Sequence, residues 1–253
     1  MSAPKATVLV VLSTNDELNA RWLLHHEHKI PQDVEVIVVE NYDALCVRSA
    51  NLVRYLCLKH DNWRAIIPFE ELAQGAKGFH GTALDKALEY VTTPYVFTLD
   101  NDFFVERAEL FDDMLRAAHE KNAVIVGELL KCAYPYVHPA CALYATDVAR
   151  KYQFRARYIE NAEYLKRFYN AVFADTDIAR DERKHYLDVG AYIYFEARNN
   201  NLPVVDDFPI SNYGRHIWGQ SPYIWYTAPG EVHRHVRLVL PDGRSVVFND
   251  IWS

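Results

Sequence analysis

The sequence contains only four cysteines among its 253 residues, and no two of them have the C-x-x-C spacing of a zinc or redox motif. Disulfide frameworks are typical of small secreted domains and not of chains this long. We therefore predict free thiols, a reducing compartment and a cytoplasmic location, which leaves peripheral membrane association open. The cysteines are Cys46, Cys57, Cys132 and Cys141.

An excess of basic residues is also missing. The chain has 27 Lys and Arg against 34 Asp and Glu, for a formal net charge of -7. A general nucleic-acid surface needs a basic face, so no nucleic-acid partner is expected. A local basic pocket for phosphate groups is compatible with this balance.

Long apolar runs are absent from the sequence as well. The N-terminal run Ala6–Leu12 (ATVLVVL) is much shorter than the roughly 20 residues that a transmembrane helix requires. It is also too short for a secretory signal, and no transmembrane segment is predicted. Since 50% of the residues are hydrophobic, the chain can still bury the core of one sizeable domain.

Apolar, β-branched runs alternate with helical patterns through the first hundred residues. Such alternation at crossover spacing predicts βαβ units and an α/β fold: a mostly parallel central sheet flanked by helices on both faces. Ligands of such sheets bind beyond the carboxyl ends of the strands. The predicted strands are Ala6–Leu12, Val34–Val39, Arg64–Pro68 and Tyr95–Leu99, with helices at 15–28, 44–59 and 82–90 between them.

The second part of the chain gives weaker signals. Helices are predicted at 107–121, 147–152 and 188–200, a strand at 123–126, and irregular or paired strands at 129–144. Pro241-Asp242-Gly243 is a turn signal between two apolar runs, which predicts a hairpin near the C-terminus.

The most informative segment is Thr93–Asp102 (TPYVFTLDND). A buried strand there delivers two carboxylates, two residues apart, at its carboxyl end. Mg²⁺ or Mn²⁺ is commonly held by one or two carboxylates together with substrate phosphates. The pattern therefore predicts a divalent metal site that also holds a diphosphate.

The block Gly78–Asp102 (GFHGTALDKALEYVTTPYVFTLDND) resembles the central block of family 2 glycosyltransferases, in which a Gly-rich loop, a helix and a strand ending in D-x-D follow at this spacing. The resemblance covers residues 6–105 well and continues more weakly to 221. It implies a single domain, 1–253, of the GT-A type, with a nucleotide-sugar half (1–105) and an acceptor half (106–253).

The resemblance also implies roles for the polar strand ends. Thr14, Glu40 and Asn41, with Asp100 and Asn101, are expected to bind the nucleotide sugar. Asp102 is expected to bind Mn²⁺ or Mg²⁺, with Asp100 as a second ligand. The donor is expected to be a UDP-sugar, a GDP-sugar or a similar nucleotide sugar, and the acceptor a glycan or another hydroxyl compound.

Two departures from the family pattern affect these expectations. The helix after the Gly-rich loop reads Ala83-Leu84-Asp85 where the family has A-R-N, so Lys77 or Lys86 is expected to replace the missing arginine, and Asp85 stays in the nucleotide-sugar set. The family's Glu-Asp pair is reduced to Asp188, which is the expected general base for the acceptor hydroxyl.

A loop near residue 216 (NYGRHIWGQS, 212–221) resembles the family loop that carries a metal-binding histidine. His216 is the expected ligand, with His233 and His235 as rivals. Arg215 suits a diphosphate, because a guanidinium pairs phosphate oxygens bidentately. Tyr213 and Trp218 are candidate acceptor contacts, since sugar faces stack on aromatic rings.

Each of these residues also has a structural interpretation. Asp100–Asp102 suits an ordinary turn, Asp188 a helix N-cap, His216 a packed loop, and the C-terminal aromatics a satellite core. The histidines at 25, 26 and 28 are interpreted as a solvated group at a helix end.

Two other functions compete with sugar transfer. A nucleotidyltransferase also pairs a nucleotide with acidic metal ligands, but it would carry a Gly-rich, basic loop after the first strand, and Ser13–Leu18 contains neither glycine nor a basic residue. A catalytically silent sugar-binding or scaffold module with a GT-A fold is the second alternative, and the intact D-x-D argues against it.

Overall fold

The computed structural model describes residues 3–13, 15–41, 46–66, 80–130, 135–160, 162–168, 186–217, 223–228, 231–239 and 245–249. The helices are α1 (Asp16–His26), α2 (Val47–Lys59), α3 (His80–Leu88), α4 (Glu109–Lys121), α5 (Thr146–Tyr152), α6 (Ala162–Lys166) and α7 (Ala191–Asn199). The first seven strands are β1 (Ala6–Leu12), β2 (Val34–Glu40), β3 (Trp63–Ile66), β4 (Tyr95–Asp100), β5 (Phe103–Val105), β6 (Ile125–Val126) and β7 (Cys141–Ala145). The remaining strands are β8 (Arg157–Tyr158), β9 (Tyr186–Leu187), β10 (Val204–Val205), β11 (Gly214–His216), β12 (Tyr223–Ala228), β13 (Glu231–Val239) and β14 (Ser245–Asn249).

One mixed sheet of seven strands organises the fold, in the spatial order β10-β6-β7-β4-β1-β2-β3. Neighbouring strands from β4 to β3 are parallel, as are β6 and β10. Only β7 runs against its neighbours, β4 and β6. The predicted α/β architecture with a mostly parallel central sheet is confirmed.

Helices cover both faces of this sheet. The side chains of β1 alternate between two apolar clusters, with Val8, Val10 and Leu12 in one and Leu9 and Val11 in the other. The first cluster also contains apolar residues of α1, α2 and α4, and the second those of α3, α5 and α7. Every β1 residue is buried, which accounts for the apolar sequence of this strand. The one polar residue, Thr7, uses its hydroxyl group in hydrogen bonds with Glu35 and Thr93.

The first helix begins where the sequence predicts a cap. Asn15 precedes α1, and its Oδ1 accepts a hydrogen bond from the backbone N–H of Leu18 at 3.1 Å. Asp16 and Glu17 occupy the first turn, where acidic side chains favour the positive end of the helix dipole.

Several helices begin at other residues than predicted. The helix expected from Asp188 begins at Ala191, because Gly190 precedes it with a left-handed φ of 77°. The helix expected from Arg107 begins at Glu109. The 129–144 region contributes β7, whose antiparallel insertion in the main sheet was not predicted.

The C-terminal strands form a separate antiparallel sheet in the order β12-β13-β14. The pairing of β13 with β14 confirms the predicted hairpin, while its turn, Pro241–Gly243, lies outside the described residues. Within the described ranges, no helix combines the length and apolar character needed to cross a bilayer. Cys57 and Cys141 are free thiols, and Cys132 lies outside the described residues. The buried Cys46 directs its Sγ towards the carbonyl of Ser13, at 4.0 Å.

The interpretation of the histidines at the end of α1 as a solvated group is wrong for His26, which is fully buried. Its ring stacks on Trp22, with the centroids 4.0 Å apart. Its Nε2 accepts from the N–H of Val105 at 3.1 Å, so its Nδ1 donates to the carbonyl of Trp22 at 2.8 Å. Both ring nitrogens are therefore used by the neutral form, and burial lowers the pKa of His26 to about 3.

This burial predicts a pH-dependent stability. The unfolded chain binds a proton on His26 near its ordinary pKa of about 6.5, whereas the folded chain binds it only near 3. The buried, neutral His26 ring therefore contributes its full stabilisation of the folded state above pH 6.5. This contribution is lost as the pH falls towards 3. When the pH is lowered from 7 to 5, the free energy of unfolding of the wild type should fall by about 2 kcal/mol more than that of His26→Gln.

Urea unfolding at the two pH values measures this difference. The exposed His28, on the same segment, provides the control His28→Gln, which should keep the wild-type pH dependence. Equal losses for His26→Gln and the wild type would show that His26 is protonated in the folded state.

Candidate functional site

The candidate site forms where β4 ends. Asp100 is the last residue of β4 and pairs with Val11 of β1, so it lies at the carboxyl end of the parallel strands. The chain turns at Asn101 and Asp102 and continues as β5. Asp102 is buried and Asp100 is half-buried. This edge is where the strand arrangement predicts ligand binding.

A short strand from the distant end of the chain completes the site. β11 pairs with β5 in antiparallel register, which sets His216 opposite Phe103. The next residue, Ile217, donates its backbone N–H to the carbonyl of Asp102 at 2.8 Å. A Cβ on Gly214 would lie 2.6 Å from the carbonyl oxygen of Phe104, so the close approach of the two strands requires glycine there.

Asp100, Asp102 and His216 bring one ligand atom each to within 4.8 Å of one another. His216 Nε2 lies 2.8 Å from Asp102 Oδ1. Asp100 Oδ1 is buried and has no hydrogen-bond partner among the described residues, although His80 Nε2 lies 3.5 Å away. Two carboxylates and an imidazole suit Mn²⁺ and related divalent cations, so this donor set fits the expected metal.

The middle residue of the D-x-D segment has a structural task. Asn101 is buried, and its Nδ2 donates to Ser13 Oγ at 2.8 Å and to Asn19 Oδ1 at 2.7 Å. Asn19 in turn donates from Nδ2 to the carbonyl of Ser13 at 2.7 Å. This amide network joins the end of β1 and the start of α1 to the turn that carries both carboxylates.

We expect Asn101→Ala to lower the free energy of unfolding by about 2 kcal/mol, because Ser13 Oγ and Asn19 Oδ1 both lose the N–H donor that Asn101 supplies, and Asn19 Oδ1 keeps only the backbone N–H of Ser13. Thermal and urea unfolding measure the change. Asn51→Ala, on the exposed face of α2, is the matched control and should cost a few tenths of that amount. If Asn101→Ala and Asn19→Ala have strictly additive effects, the proposed network is contradicted.

Two histidines that the sequence analysis did not select face the same edge. His80 begins α3, and its Nε2 is 3.5 Å from Asp100 Oδ1. His138 lies in the segment before β7, with its ring centroid 6.2 Å from that of His216. Burial lowers the pKa of His138, against the opposing effect of Asp100 and Asp188. Neither histidine lies in a strand-end motif, although His80 falls within the Gly-rich block and could have been selected there.

Asp188, the expected general base, is exposed and precedes α7. Gly190 occupies the N-cap position of that helix, so Asp188 is not its N-cap. One carboxylate oxygen, Oδ2, accepts from the hydroxyl of Tyr136 at 3.2 Å, and Oδ1 accepts from the N–H of Val189 at 2.7 Å. These bonds hold an accessible carboxylate in one orientation.

Two of the other residues expected to bind the nucleotide sugar lie at the edge of the sheet that carries the site. Glu40 ends β2 beside Leu12 of β1, and Asn41 follows it, so both lie at the carboxyl edge of the sheet. Thr14 and Lys77 lie outside the described residues. Lys86 is exposed on α3 and forms an ion pair with Glu89.

Asp85 and Arg215 were also expected to bind the nucleotide sugar. Both have partners outside the cluster of Asp100, Asp102 and His216. Asp85 accepts hydrogen bonds from the backbone N–H groups of Phe154 and Arg155, at 2.5 and 3.2 Å, and burial raises its pKa. Arg215 forms an ion pair with Glu106 at 3.1 Å. It is the strand neighbour of His216, and alternation along β11 turns their side chains to opposite faces.

Tyr213, an expected acceptor contact, stacks on Phe208 with ring centroids 5.4 Å apart. Its hydroxyl donates to Asp113 at 2.6 Å. These contacts favour the satellite-core interpretation for this ring. Trp218 lies outside the described residues, and His233 and His235 are in β13, opposite Trp225 and Tyr223.

Comparisons with known proteins give structural similarities only. No protein-family model matches the chain. No curated protein sequence matches it either. Among solved structures, the chain is similar to the mannosyltransferase PcManGT from Pyrobaculum calidifontis in complex with GDP-Man and Mn²⁺, at 20% identity and a TM-score of 0.47, over 61% of this chain and 48% of that one.

It is also similar to S. aureus TarS 1–349 in complex with UDP, at 18% identity and a TM-score of 0.46, over 60% of this chain and 50% of that one. A third similar structure is glucosyl-3-phosphoglycerate synthase from Mycobacterium tuberculosis, at 8% identity and a TM-score of 0.42, over 57% of this chain and 58% of that one. The chain spans about half the length of the first two structures.

Proposed function

We propose that the protein is a metal-dependent glycosyltransferase of the GT-A type, which transfers a sugar from a nucleotide-diphosphate donor to an acceptor hydroxyl. The observation that carries this proposal is the convergence of Asp100, Asp102 and His216 at the carboxyl end of β4. A buried carboxylate oxygen without a hydrogen-bond partner among the described residues is costly unless a ligand compensates it. A divalent cation at this position would supply that compensation.

In the proposed mechanism Asp102, Asp100 and His216 would hold Mn²⁺ or Mg²⁺. The bound cation would act as a Lewis acid that neutralises charge on the departing nucleoside diphosphate. Asn101 keeps the turn in place through Ser13 and Asn19. The carboxylates are therefore preorganised by the fold, which lowers the cost of binding a charged substrate.

Asp188 is proposed to remove the proton from the acceptor hydroxyl as this oxygen attacks the anomeric carbon. Its exposure leaves the carboxylate accessible to an acceptor from solvent, and Tyr136 fixes its orientation. A single displacement of this kind inverts the anomeric configuration. Its transition state has oxocarbenium character, as in other glycosyl transfers.

The donor is proposed to lie over the strand ends of the first half, 1–105, close to Glu40 and Asn41. The acceptor is proposed to approach from the side of 106–253, where Asp188 lies. We further propose that the protein works in the cytoplasm, on the basis of its cysteine content.

A thermal-shift screen tests this function. UDP-, GDP-, CDP- and dTDP-sugars are each added with and without Mn²⁺, since a ligand that binds only the folded state raises the melting temperature. We expect one nucleotide class to stabilise the protein, and only when Mn²⁺ is present. Stabilisation by none of them, in either condition, contradicts the proposal.

A further inference from the structure

The backbone around the proposed base is attached to one other segment of the chain, residues 154–158. Before Asp188, β9 pairs with β8 of that segment in antiparallel register. After Asp188, the N–H of Gly190 donates to the carbonyl of Phe154 at 2.9 Å. Asp188 thus lies between two points of attachment to the same segment, and the position of the segment controls that of the carboxylate.

This segment is in turn attached to α3 by a carboxylate. Asp85 accepts from the backbone N–H groups of Phe154 and Arg155, at 2.5 and 3.2 Å, so that each of its two oxygens binds one N–H. Gly81 lies four residues earlier on α3, and a Cβ there would lie 2.7 Å from the Cα of Arg155 and 2.8 Å from the carbonyl oxygen of Phe154. The segment therefore packs directly against the backbone of α3, and Asp85 holds it there.

The backbone just before this segment is strained. Gln153 has a φ of 65° and a ψ of 144°, a combination that residues with a side chain rarely adopt. Such a conformation persists only where the surrounding contacts impose it. The hydrogen bonds from Phe154 and Arg155 to Asp85 follow directly and are contacts of this kind. Without them we expect the segment to relax away from α3.

The helix α3 also contacts the proposed metal-binding cluster. His80 begins this helix, and its Nε2 lies 3.5 Å from Asp100 Oδ1. In a single displacement the attacking hydroxyl and the departing diphosphate lie in line on either side of the anomeric carbon, so the rate depends on their relative position. Because α3 contacts Asp100 at its start and holds the segment beside Asp188 through Asp85, it fixes the base relative to the cluster.

We propose that Asp85 is a positioning residue, which sets the position of the general base Asp188 through the backbone of Phe154 and Gly190. This inference rests on the proposed function and gives Asp85 a task other than binding the nucleotide sugar. A displacement of about 1 Å between reacting groups can lower a rate about 10²-fold. Loss of the Asp85 carboxylate should therefore slow the chemical step and leave donor binding unchanged.

Hydrogen exchange tests the link between Asp85 and the base without any substrate. In Asp85→Ala the backbone amides of Phe154, Arg155 and Gly190 should exchange about tenfold faster than in the wild type, which corresponds to the loss of one hydrogen bond. Asp85→Asn keeps one of the two acceptor oxygens and should give a smaller increase. This second variant carries the test if circular dichroism shows that Asp85→Ala does not fold.

Asp16→Ala is the matched control. Asp16 also accepts from two successive backbone N–H groups, those of Arg48 and Ser49, at 3.2 and 2.7 Å. These contacts join α1 to α2, which lie on the other face of the sheet from α3. The control variant should therefore lose the same kind of contact and leave the exchange of Gly190 unchanged.

The second test measures the hydrolysis of nucleotide sugars with Mn²⁺, starting with UDP-glucose and GDP-mannose, in which water takes the place of the acceptor hydroxyl and requires the same base. Asp85→Ala should lower kcat about 10- to 100-fold. The Kd of the same nucleotide sugar should stay within about twofold. In the Asp188→Asn background, Asp85→Ala should not lower kcat further, because no base remains to be positioned. A purely structural role for Asp85 would lower kcat by the same factor in both backgrounds.

Unchanged exchange at Gly190 in Asp85→Ala would overturn the inference and leave the proposed function intact. Equal losses of kcat with and without Asp188 would also overturn it, and weaker donor binding with unchanged kcat would assign Asp85 to the nucleotide sugar. If the wild type hydrolyses no UDP-, GDP-, CDP- or dTDP-sugar although exchange at Gly190 accelerates in the variant, the proposed function fails and the inference fails with it. The exchange measurement thus distinguishes the two failures.

Discussion

Asp102→Asn should abolish metal-dependent sugar transfer, with kcat/KM lowered by about 10³-fold or more. A metal ion contributes several kcal/mol of transition-state stabilisation, and about 4 kcal/mol corresponds to that factor. Asparagine has almost the same shape as aspartate, so the turn should keep its shape while the charge is lost. The rate of sugar transfer and the Kd of Mn²⁺ are the measured quantities, and both should change together.

Asp61→Asn is the matched control for this substitution. Asp61 is exposed in the turn before β3, at the opposite end of the strands from Asp102, and this variant should transfer sugar at the wild-type rate. Wild-type transfer by Asp102→Asn, with its fold intact, would remove Asp102 from the site.

Asp188→Asn should lower kcat by about 10²- to 10⁴-fold, the usual contribution of a general base. The Kd of the nucleotide sugar with Mn²⁺ should stay within twofold, because the proposed role of Asp188 is to contact the acceptor and not the donor. Steady-state kinetics and calorimetry measure the two quantities. This separation of rate from binding distinguishes Asp188 from Asp102, for which both are expected to be lost.

Asp147→Asn provides a close control for Asp188→Asn. Both carboxylates are exposed near the start of a helix, and each accepts from the N–H of the next residue, at 2.8 Å for Asp147 and 2.7 Å for Asp188. Asp147→Asn should therefore reproduce any general helix-end effect without the loss of kcat. Similar kcat values for the two variants would mean that Asp188 is not the base.

The sheet and the acidic pair could be predicted because both depend on local sequence. Runs rich in β-branched apolar residues identified β1 and β2, and Asp100 and Asp102 lie at the carboxyl end of a buried strand. His216 was selected from a loop pattern, and the structure brings it to Asp102 through β11. Whether these residues bind the metal is still a prediction.

Pairing between strands that are distant in the sequence accounts for many features of the site that were not predicted. His138 and Tyr136 join the site because β7 inserts antiparallel beside β4, and no local signal in the 129–144 region predicts that insertion. The orientation of Arg215 depends on the register between β11 and β5. Single-sequence patterns carry no information about such register.

The error at His26 has a different cause. A run of histidines at a helix end has the composition of a solvated surface, and charge patterning favours that interpretation. The structure buries one of them because Trp22 offers a stacking partner and Val105 offers a backbone donor. Val105 lies 79 positions away along the chain, beyond the reach of local reasoning.

The most direct test of the central claim is anomalous diffraction at the manganese edge, from crystals soaked with Mn²⁺ and the nucleoside diphosphate that stabilises the protein. We expect one manganese peak within coordination distance of Asp102 and His216, and diphosphate oxygens on the same ion. A manganese and nucleotide bound at another place on the protein, with the Asp100–Asp102–His216 cluster lacking both, would contradict the account.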